Sequence, residues 1–252
     1  MEKVYRGVQL VTQKEIEKLE KKYFITVEKI FNDTKNIQII KQSLANINKN
    51  LKYIKGKKKN QVEDSLEQMV RIILFIHAVK KGWTPALFPV GSDVTFQTKD
   101  CFLFCDVKTI TTKDKNGKSD SDAKYYRIQV QGNESTYPDN KTPVKGKRGN
   151  NKGKNLTWLG PNIPSILNKK PVITIFVTFH YEQNNQKYKI KESILYCIPN
   201  GELKSCYGDL ILNFKQFKKG TTKGTNARFP SEKFKDPKLT TGWSRKKILR
   251  KL

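Results

Sequence analysis

Residues 92–108 read SDVTFQTKDCFLFCDVK. Two runs of β-type residues flank a polar break, which predicts a hairpin with Asp93 on its first strand and Asp106 and Lys108 on its second. Side chains alternate between the two faces of a strand, so Asp106 and Lys108 share one face. The opposite face carries the apolar side chains of Cys101, Leu103, Cys105 and Val107. The second strand thus ends in a carboxylate and an ammonium that folding does not require.

The hairpin also predicts that Asp93 comes alongside Asp106 and Lys108. Two carboxylates and a lysine would then meet at one point of the sheet. A hard divalent cation is usually held by one or two carboxylates together with waters and substrate phosphates. We therefore expect a cation site whose chemistry suits phosphodiester hydrolysis.

The arrangement resembles the core of the PD-(D/E)xK nuclease superfamily, which includes most type II restriction endonucleases. That family places one acid on a strand and an acid-any-lysine triplet on the next strand. Asp93 and Asp106-Val107-Lys108 match this pattern, within a resemblance that covers about residues 60–131. Ser92 stands where the family pattern usually has proline.

The resemblance implies a Mg²⁺-dependent, sequence-specific endodeoxyribonuclease, with Mn²⁺ able to substitute for Mg²⁺. Asp93 and Asp106 would hold the cation together with the backbone carbonyl of Val107, and Lys108 would orient or help deprotonate the attacking water. In-line attack would leave 5′-phosphate and 3′-hydroxyl ends. Cleavage of both strands of a palindrome further implies a homodimer.

A long helix is predicted upstream of the hairpin, from an N-cap at Asn60 to about Lys81. Its predicted core stripe consists of Val62, Leu66, Met69, Ile73 and Ile76. The resemblance implies that this helix can supply a further carboxylate to the catalytic metal site, and Glu67 and Glu63 are the two candidates. Glu67 is preferred because the predicted cap already explains Glu63; the alternative is that Glu67 is only solvated.

The charge of the chain indicates its partner. Its 252 residues include 50 Lys and Arg against 23 Asp and Glu, a formal charge of +27. Such a charge favours polyanions and predicts binding to double-stranded DNA. A lysine-rich proteome would account for part of the excess, but not for the deficit of acids.

Two segments concentrate the bases. Residues 141–154 hold six bases and no acid, and residues 215–252 hold thirteen bases and two acids. Phosphate contacts are therefore predicted from these segments. The candidates are Lys141, Lys145, Lys147, Arg148, Lys152, Lys154, Arg228, Arg245, Lys246 and Lys247.

The predicted fold class is α/β, with a mixed central β-sheet flanked by helices, a restriction-endonuclease-like core and a helical N-terminal region. Residues 171–181 form a near-continuous apolar run that predicts a central strand buried on both faces. For His180, at the end of this run, two placements stay open: approach to the active edge, or the more common one, partial exposure at the sheet rim. Residues 243–252 are predicted to form a terminal helix. One nuclease domain is expected, in five parts: 1–59 helical, 60–131 catalytic core, 132–157 basic loop, 158–214 remaining sheet and 215–252 basic segment.

The four cysteines lack paired metal-ligand spacing, which predicts reduced thiols and a cytoplasmic location. No apolar run approaches the length needed to cross a bilayer. Two alternatives to a restriction enzyme stay open. One is a repair or junction-resolving nuclease of the same superfamily. The other is a non-catalytic nucleic-acid-binding protein in which Asp93, Asp106 and Lys108 form a surface salt-bridge cluster.

Overall fold

The structure, a computed structural model, describes residues 11–50, 58–86, 93–111, 165–184, 187–200, 231–238 and 242–250, together with the short strands between them. Three helices come first along the chain: α1 (Gln13–Phe31), α2 (Thr34–Asn50) and α3 (Lys58–Lys80). Helix α1 begins with the side chain of Thr12 accepting the Glu15 N–H, while the Glu15 carboxylate accepts the Thr12 N–H. This reciprocal cap satisfies two donors that a helix start leaves open.

Thirteen strands follow in the part of the chain that the structure describes, several of them only two or three residues long. They are β1 (Thr84–Pro85), β2 (Val94–Gln97), β3 (Phe102–Thr111), β4 (Arg127–Gln129), β5 (Val144–Lys145), β6 (Asn155–Trp158), β7 (Ile166–Leu167), β8 (Lys170–Asn184), β9 (Lys187–Ile198), β10 (Lys215–Gln216), β11 (Gly224–Asn226), β12 (Arg228–Pro230) and β13 (Lys246–Ile248). A short 3-10 helix, Ser231–Lys235, follows β12.

Seven of these strands form the central sheet, in the order β1-β2-β3-β8-β9-β13 with β7 paired to β8. Strands β3 and β8 are parallel, and the other neighbours in this sheet are antiparallel. The sheet is therefore mixed, and the predicted fold class is confirmed. Smaller groups of strands pair as β10-β11-β6-β5 and as β12-β4.

The main core lies between the three helices and one face of the sheet. Leu103, Cys105 and Val107 of β3 enter it together with Ile173 and Ile175 of β8. Phe102 and Phe104 point to the opposite face, where they pack with Val172. Both faces are thus covered in the first half of β3 and along most of β8, as expected for neighbouring parallel strands, which explains the apolar runs at 102–105 and 172–181.

Several local predictions on α3 and β8 are wrong. Helix α3 already begins at Lys58, so Asn60 is not its N-cap. Ile76 is 45% exposed and does not belong to the core stripe, whereas Leu66, Met69 and Ile73 are buried. His180 lies inside β8 and is buried rather than exposed at a rim, because β9 pairs along its full length.

The C-terminal segment is a strand where a helix was expected. Strand β13 pairs with β9, with Lys246 opposite Tyr196 and Ile248 opposite Ile194. This pairing satisfies the edge of β9, a requirement that the local sequence does not reveal. Arg245, just before the strand, binds Glu20 of α1 through an Nη1–Oε2 distance of 2.6 Å in the interior.

Among the described residues, no helix is long and apolar enough to cross a membrane. Cys101, Cys105 and Cys197 are buried thiols without a disulfide partner, consistent with the reduced state predicted for them. Burial raises the pKa of Cys101 to about 11, so this thiol is protonated and unreactive at neutral pH.

Candidate active site

Asp93 directly precedes the first residue of β2, rather than lying within the strand as predicted, and its side chain binds the open edge of β3. The last β2–β3 pair is Val94 with Cys105, so the backbone of Val107 has no β2 residue opposite it. The Asp93 carboxylate replaces that partner, because its Oδ2 accepts the Val107 N–H at 2.6 Å. A residue in a strand directs its N–H and C=O to the same edge, so the Val107 carbonyl also leaves β3 beside Asp93. The expected meeting of Asp93 with the Asp106–Lys108 segment is present.

Asp106 and Lys108 lie on the face of β3 that is opposite the helices, as their parity predicts. The Lys108 ammonium lies 2.5 Å from Asp106 Oδ2 and 5.7 Å from the centre of the Phe176 ring. Phe176 is directly opposite Asp106 on β8. The lysine therefore folds back over the sheet toward the carboxylate and leaves its side chain 37% exposed, within reach of a ligand from solvent.

The electrostatics of this pair are unusual for a surface cluster. Asp106 is 7% exposed, and its pKa is raised to about 7. Burial is the main cause and the nearby Asp93 carboxylate acts in the same direction, while Lys108 lowers the pKa of Asp106 and offsets part of the shift. A carboxylate held in this way is costly to ionise, and an additional cation would reduce that cost. The hypothesis that these residues form only a surface salt-bridge cluster therefore does not explain the burial of Asp106.

Helix α3 brings two more charged residues to the site. Burial and the charge of Asp93 raise the pKa of Glu67, which locates this carboxylate near the cluster. Arg71 lies one turn further along α3, and its Nη2 is 3.6 Å from Asp93 Oδ1. Sequence reasoning missed Arg71. Its spacing of four residues from Glu67 was the available signal, since residues four apart share a helix face.

The donors present suit a hard cation. Asp93, Asp106 and the Val107 carbonyl offer oxygen ligands, the set that Mg²⁺ combines with waters and phosphates. Within the described ranges, no three His, Cys, Asp or Glu side chains lie close enough together to hold a metal ion. Glu67 is thus near the carboxylate pair without completing a three-carboxylate cluster. The Glu63 side chain lies outside the described residues.

His180 shares the face of Asp106 but is four residues further along β8 than Phe176. Its Nδ1 lies 3.3 Å from Glu192 Oε2, and burial lowers its pKa to about 4. The imidazole is therefore neutral at physiological pH. It lies along the strand from the carboxylate pair and is not part of that cluster.

Two of the predicted phosphate contacts are wrong, because their charges are used inside the protein. The Arg245 side chain is 3% exposed and paired with Glu20, and Lys246 is 4% exposed with its Nζ 2.6 Å from Glu232 Oε1. Lys247 differs, since 53% of its side chain is exposed and it pairs loosely with Glu28 at 3.3 Å. The side chains of the remaining candidates, in 141–154 and at Arg228, lie outside the described residues.

Comparison with known proteins identifies the family. A family model described as the type II restriction enzyme MwoI, N-terminal domain, matches residues 12–185. This range contains α1–α3, strand β3 with Asp106 and Lys108, and Asp93, which directly precedes β2. The chain belongs to this family of type II restriction enzymes. No curated protein matches the sequence.

Solved restriction endonucleases share the fold. The tetrameric restriction endonuclease SfiI, in a crystal structure with cognate DNA, matches with a TM-score of 0.56 and 15% identity, covering 98% of this chain and 88% of that one. The restriction endonuclease BglI, bound to its DNA recognition sequence, matches with a TM-score of 0.55 and 14% identity, covering 94% and 93%. At this identity the likeness establishes the fold alone.

Proposed function

We propose that this protein is a Mg²⁺-dependent, sequence-specific endodeoxyribonuclease that hydrolyses double-stranded DNA to 5′-phosphate ends and acts as a homodimer. The observation that carries the proposal is the buried Asp106 carboxylate beside Asp93 and Lys108 at the open edge of β3. Membership of a type II restriction enzyme family supports it. The pattern also agrees with the PD-(D/E)xK resemblance.

Each residue has a distinct role in this proposal. Asp93, Asp106 and the Val107 carbonyl would hold Mg²⁺, which when bound lowers the pKa of water and polarises phosphoryl oxygens. Lys108 would orient the attacking water and offset the negative charge that builds on the phosphorus in the transition state. A lysine suits this position because its ammonium is a compact charge on a flexible stem. Arg71 would hold Asp93 in place from α3.

Plasmid cleavage tests this function directly. Purified protein with supercoiled plasmid and Mg²⁺ is expected to give discrete bands, and Mn²⁺ is expected to substitute. Ca²⁺ is expected to support binding without efficient cutting, and excess EDTA to stop cleavage. Undiminished cleavage in EDTA would refute the metal mechanism. Structure-selective cutting would indicate a repair nuclease, and retardation without cutting would indicate a binding protein.

Glu67 is expected to support the metal site by orienting the residues that bind the metal. Glu67→Gln should lower the cleavage rate about 10- to 100-fold, the usual effect of residues that orient metal ligands. Its melting temperature should stay within about 2 °C of wild type, since the side chain is only partly buried. Glu63→Gln is the matched control on the same helix. If cleavage depends on Glu63 and not on Glu67, the third carboxylate of the site is Glu63.

The basic segments are expected to bind the DNA backbone. Lys147→Ala and Lys152→Ala should each weaken binding to all DNA sequences equally and reduce the slope of log K against log salt by about one. Lys246→Ala serves as the control and should leave this slope unchanged, because the Lys246 ammonium is already paired with Glu232. Protease should cut within 141–154 in the free protein and less when cognate DNA is bound. Equal cutting in both states would mean that the C-terminal segment, and not residues 141–154, makes the main contacts with the DNA backbone.

A further inference from the structure

Arg71 of α3 carries a guanidinium whose hydrogen-bonding groups are unused among the residues that the structure describes. Its side chain is only 34% exposed, and its Nε is buried without a hydrogen-bond partner. Of the carboxylates that the structure describes, only Asp93 lies within ion-pair distance, with its Oδ1 3.6 Å from Nη2. That distance is too long for a hydrogen bond. Since buried polar groups are normally hydrogen-bonded, the donors of Arg71 need a partner from outside this part of the protein.

Asp93 directs its two carboxylate oxygens to different neighbours. Its Oδ2 accepts the Val107 N–H at 2.6 Å, whereas its Oδ1 faces Arg71 at 3.6 Å. The first contact is a hydrogen bond that orients the carboxylate, and the second is an attraction between opposite charges. Arg71 therefore helps to hold Asp93 and still offers its N–H groups to a ligand.

Two cations flank the carboxylate pair from opposite sides. Lys108 lies on the face of β3 that is opposite the helices and pairs with Asp106, whose carboxylate is hydrogen-bonded to that of Asp93. Arg71 approaches Asp93 from the other side, because α3 packs against the helix-covered face of β3. The side chains of Lys108 and Arg71 are 37% and 34% exposed. A ligand that reaches the carboxylates from solvent therefore meets a cation on each side.

The unused donors of Arg71 suit an anion with more than one acceptor oxygen. A guanidinium presents planar N–H groups that match two oxygens of a phosphate at once, which an ammonium does not. The formal charge of +27 favours a polyanion, and DNA brings such a group in each phosphodiester. The charges at the site also balance. When all are ionised, the carboxylates of Asp93, Asp106 and Glu67 and one phosphodiester carry as much negative charge as Mg²⁺ and the two flanking cations carry positive charge.

We propose that Arg71 donates hydrogen bonds to the nonbridging oxygens of the phosphodiester that is cleaved, from the side opposite Lys108. This role rests on the proposed function and adds to it a residue that contacts the substrate. Negative charge builds on the nonbridging oxygens as the water oxygen bonds to phosphorus and the bond from phosphorus to the 3′ oxygen breaks. Arg71 stabilises that charge and keeps its own protons. Overall, the water releases a proton and the 3′ oxygen takes one up, which gives a 5′-phosphate and a 3′-hydroxyl.

Single-turnover cleavage at saturating DNA tests this role. Arg71→Met should lower the rate about 100- to 1000-fold, the usual effect of losing one donor to the transition state, and excess Mg²⁺ should not restore it. Arg71→Lys should recover part of the loss, because it keeps the charge without the planar fork. Lys22→Met is the matched control and should cleave like wild type, since Lys22 pairs with Asp100 away from the site. If excess Mg²⁺ restores Arg71→Met to the wild-type rate, Arg71 acts only by holding Asp93 and the proposal is wrong.

DNA binding in Ca²⁺ tests the contact without cleavage. A duplex with an uncharged methylphosphonate in place of the cleaved phosphate should bind more weakly than the natural duplex. That penalty should be at least about tenfold larger for wild type than for Arg71→Met, because only the wild type loses a charged hydrogen bond. A methylphosphonate at the next phosphate should weaken both proteins equally. Equal penalties at the cleaved position would overturn the contact and leave the nuclease proposal standing, whereas a wild type that cuts no DNA would refute both proposals.

Discussion

Replacement of Asp106 by asparagine is expected to lower the rate of DNA cleavage about a thousandfold or more, without lowering the stability of the protein. The substitution removes a charge that the proposed mechanism needs for the metal ion and its activated water. It removes the same charge from a site where burial raises the pKa to about 7 and disfavours ionisation. Cleavage should fall while the melting temperature stays the same or rises. Single-turnover cleavage and thermal unfolding measure the two effects.

Asp93→Asn and Lys108→Ala should lose cleavage to a similar extent. Asparagine is the better choice at Asp93, because its side-chain oxygen can still accept the Val107 N–H. Alanine would leave that N–H without its partner, at a cost of about 1–3 kcal/mol. Asp100→Asn is the matched control, since Asp100 pairs with Lys22 away from the site. Near wild-type turnover in any of the three site variants would remove that residue from the mechanism.

Replacement of Arg245 by methionine is expected to cost about 3–5 kcal/mol of unfolding free energy, although a basic C-terminal residue was predicted to bind DNA. The Glu20 and Arg245 side chains are 1% and 3% exposed, so the variant leaves Glu20 buried without its cation. For a domain of this size, that loss lowers the melting temperature by about 6–20 °C. Below that temperature, the salt dependence of DNA binding should match wild type.

A double variant, Glu20→Gln with Arg245→Met, should recover much of the lost stability. The glutamine keeps an oxygen for the Asn200 N–H, which Glu20 accepts at 2.6 Å, and carries no charge. The deficit of the single variant should also shrink at low pH. Burial raises the pKa of Glu20, so its protonated form is favoured in the folded state, and that benefit is lost as pH rises through the raised value. If the folded Arg245→Met variant shows a reduced slope of log K against log salt, Arg245 contacts DNA after all.

Strand parity, with the hairpin spacing and the family resemblance, located the candidate site. It placed Asp106 and Lys108 on one face of β3, and Leu103, Cys105 and Val107 on the other; both placements are confirmed. The apolar run at 171–181 likewise predicted the central strand β8. These predictions were possible because alternation along a strand and the need to bury apolar side chains both act on neighbouring residues.

Contacts between distant parts of the chain could not be predicted in the same way. Arg71 reaches Asp93 only because α3 packs beside β1 and β3. Its spacing from Glu67 indicates a shared helix face, but not which strand that face meets. Residues 243–252 were read as a helix, yet β9 required a strand partner and β13 provided it. Pairing with an existing edge outweighs local propensity, since an unpaired edge leaves backbone groups without hydrogen bonds.

Local sequence patterns were sufficient to predict the core strands β3 and β8, the strand face that carries Asp106 and Lys108, and the excess positive charge. Which charges are available to a ligand depends on tertiary contacts. Arg245 is paired with Glu20 in the interior, the Lys108 side chain remains 37% exposed, and four apolar side chains of α3 are exposed. Composition counts every charge and every apolar side chain equally. Whether each one faces water depends on which distant segment packs against it, and that depends on the whole fold.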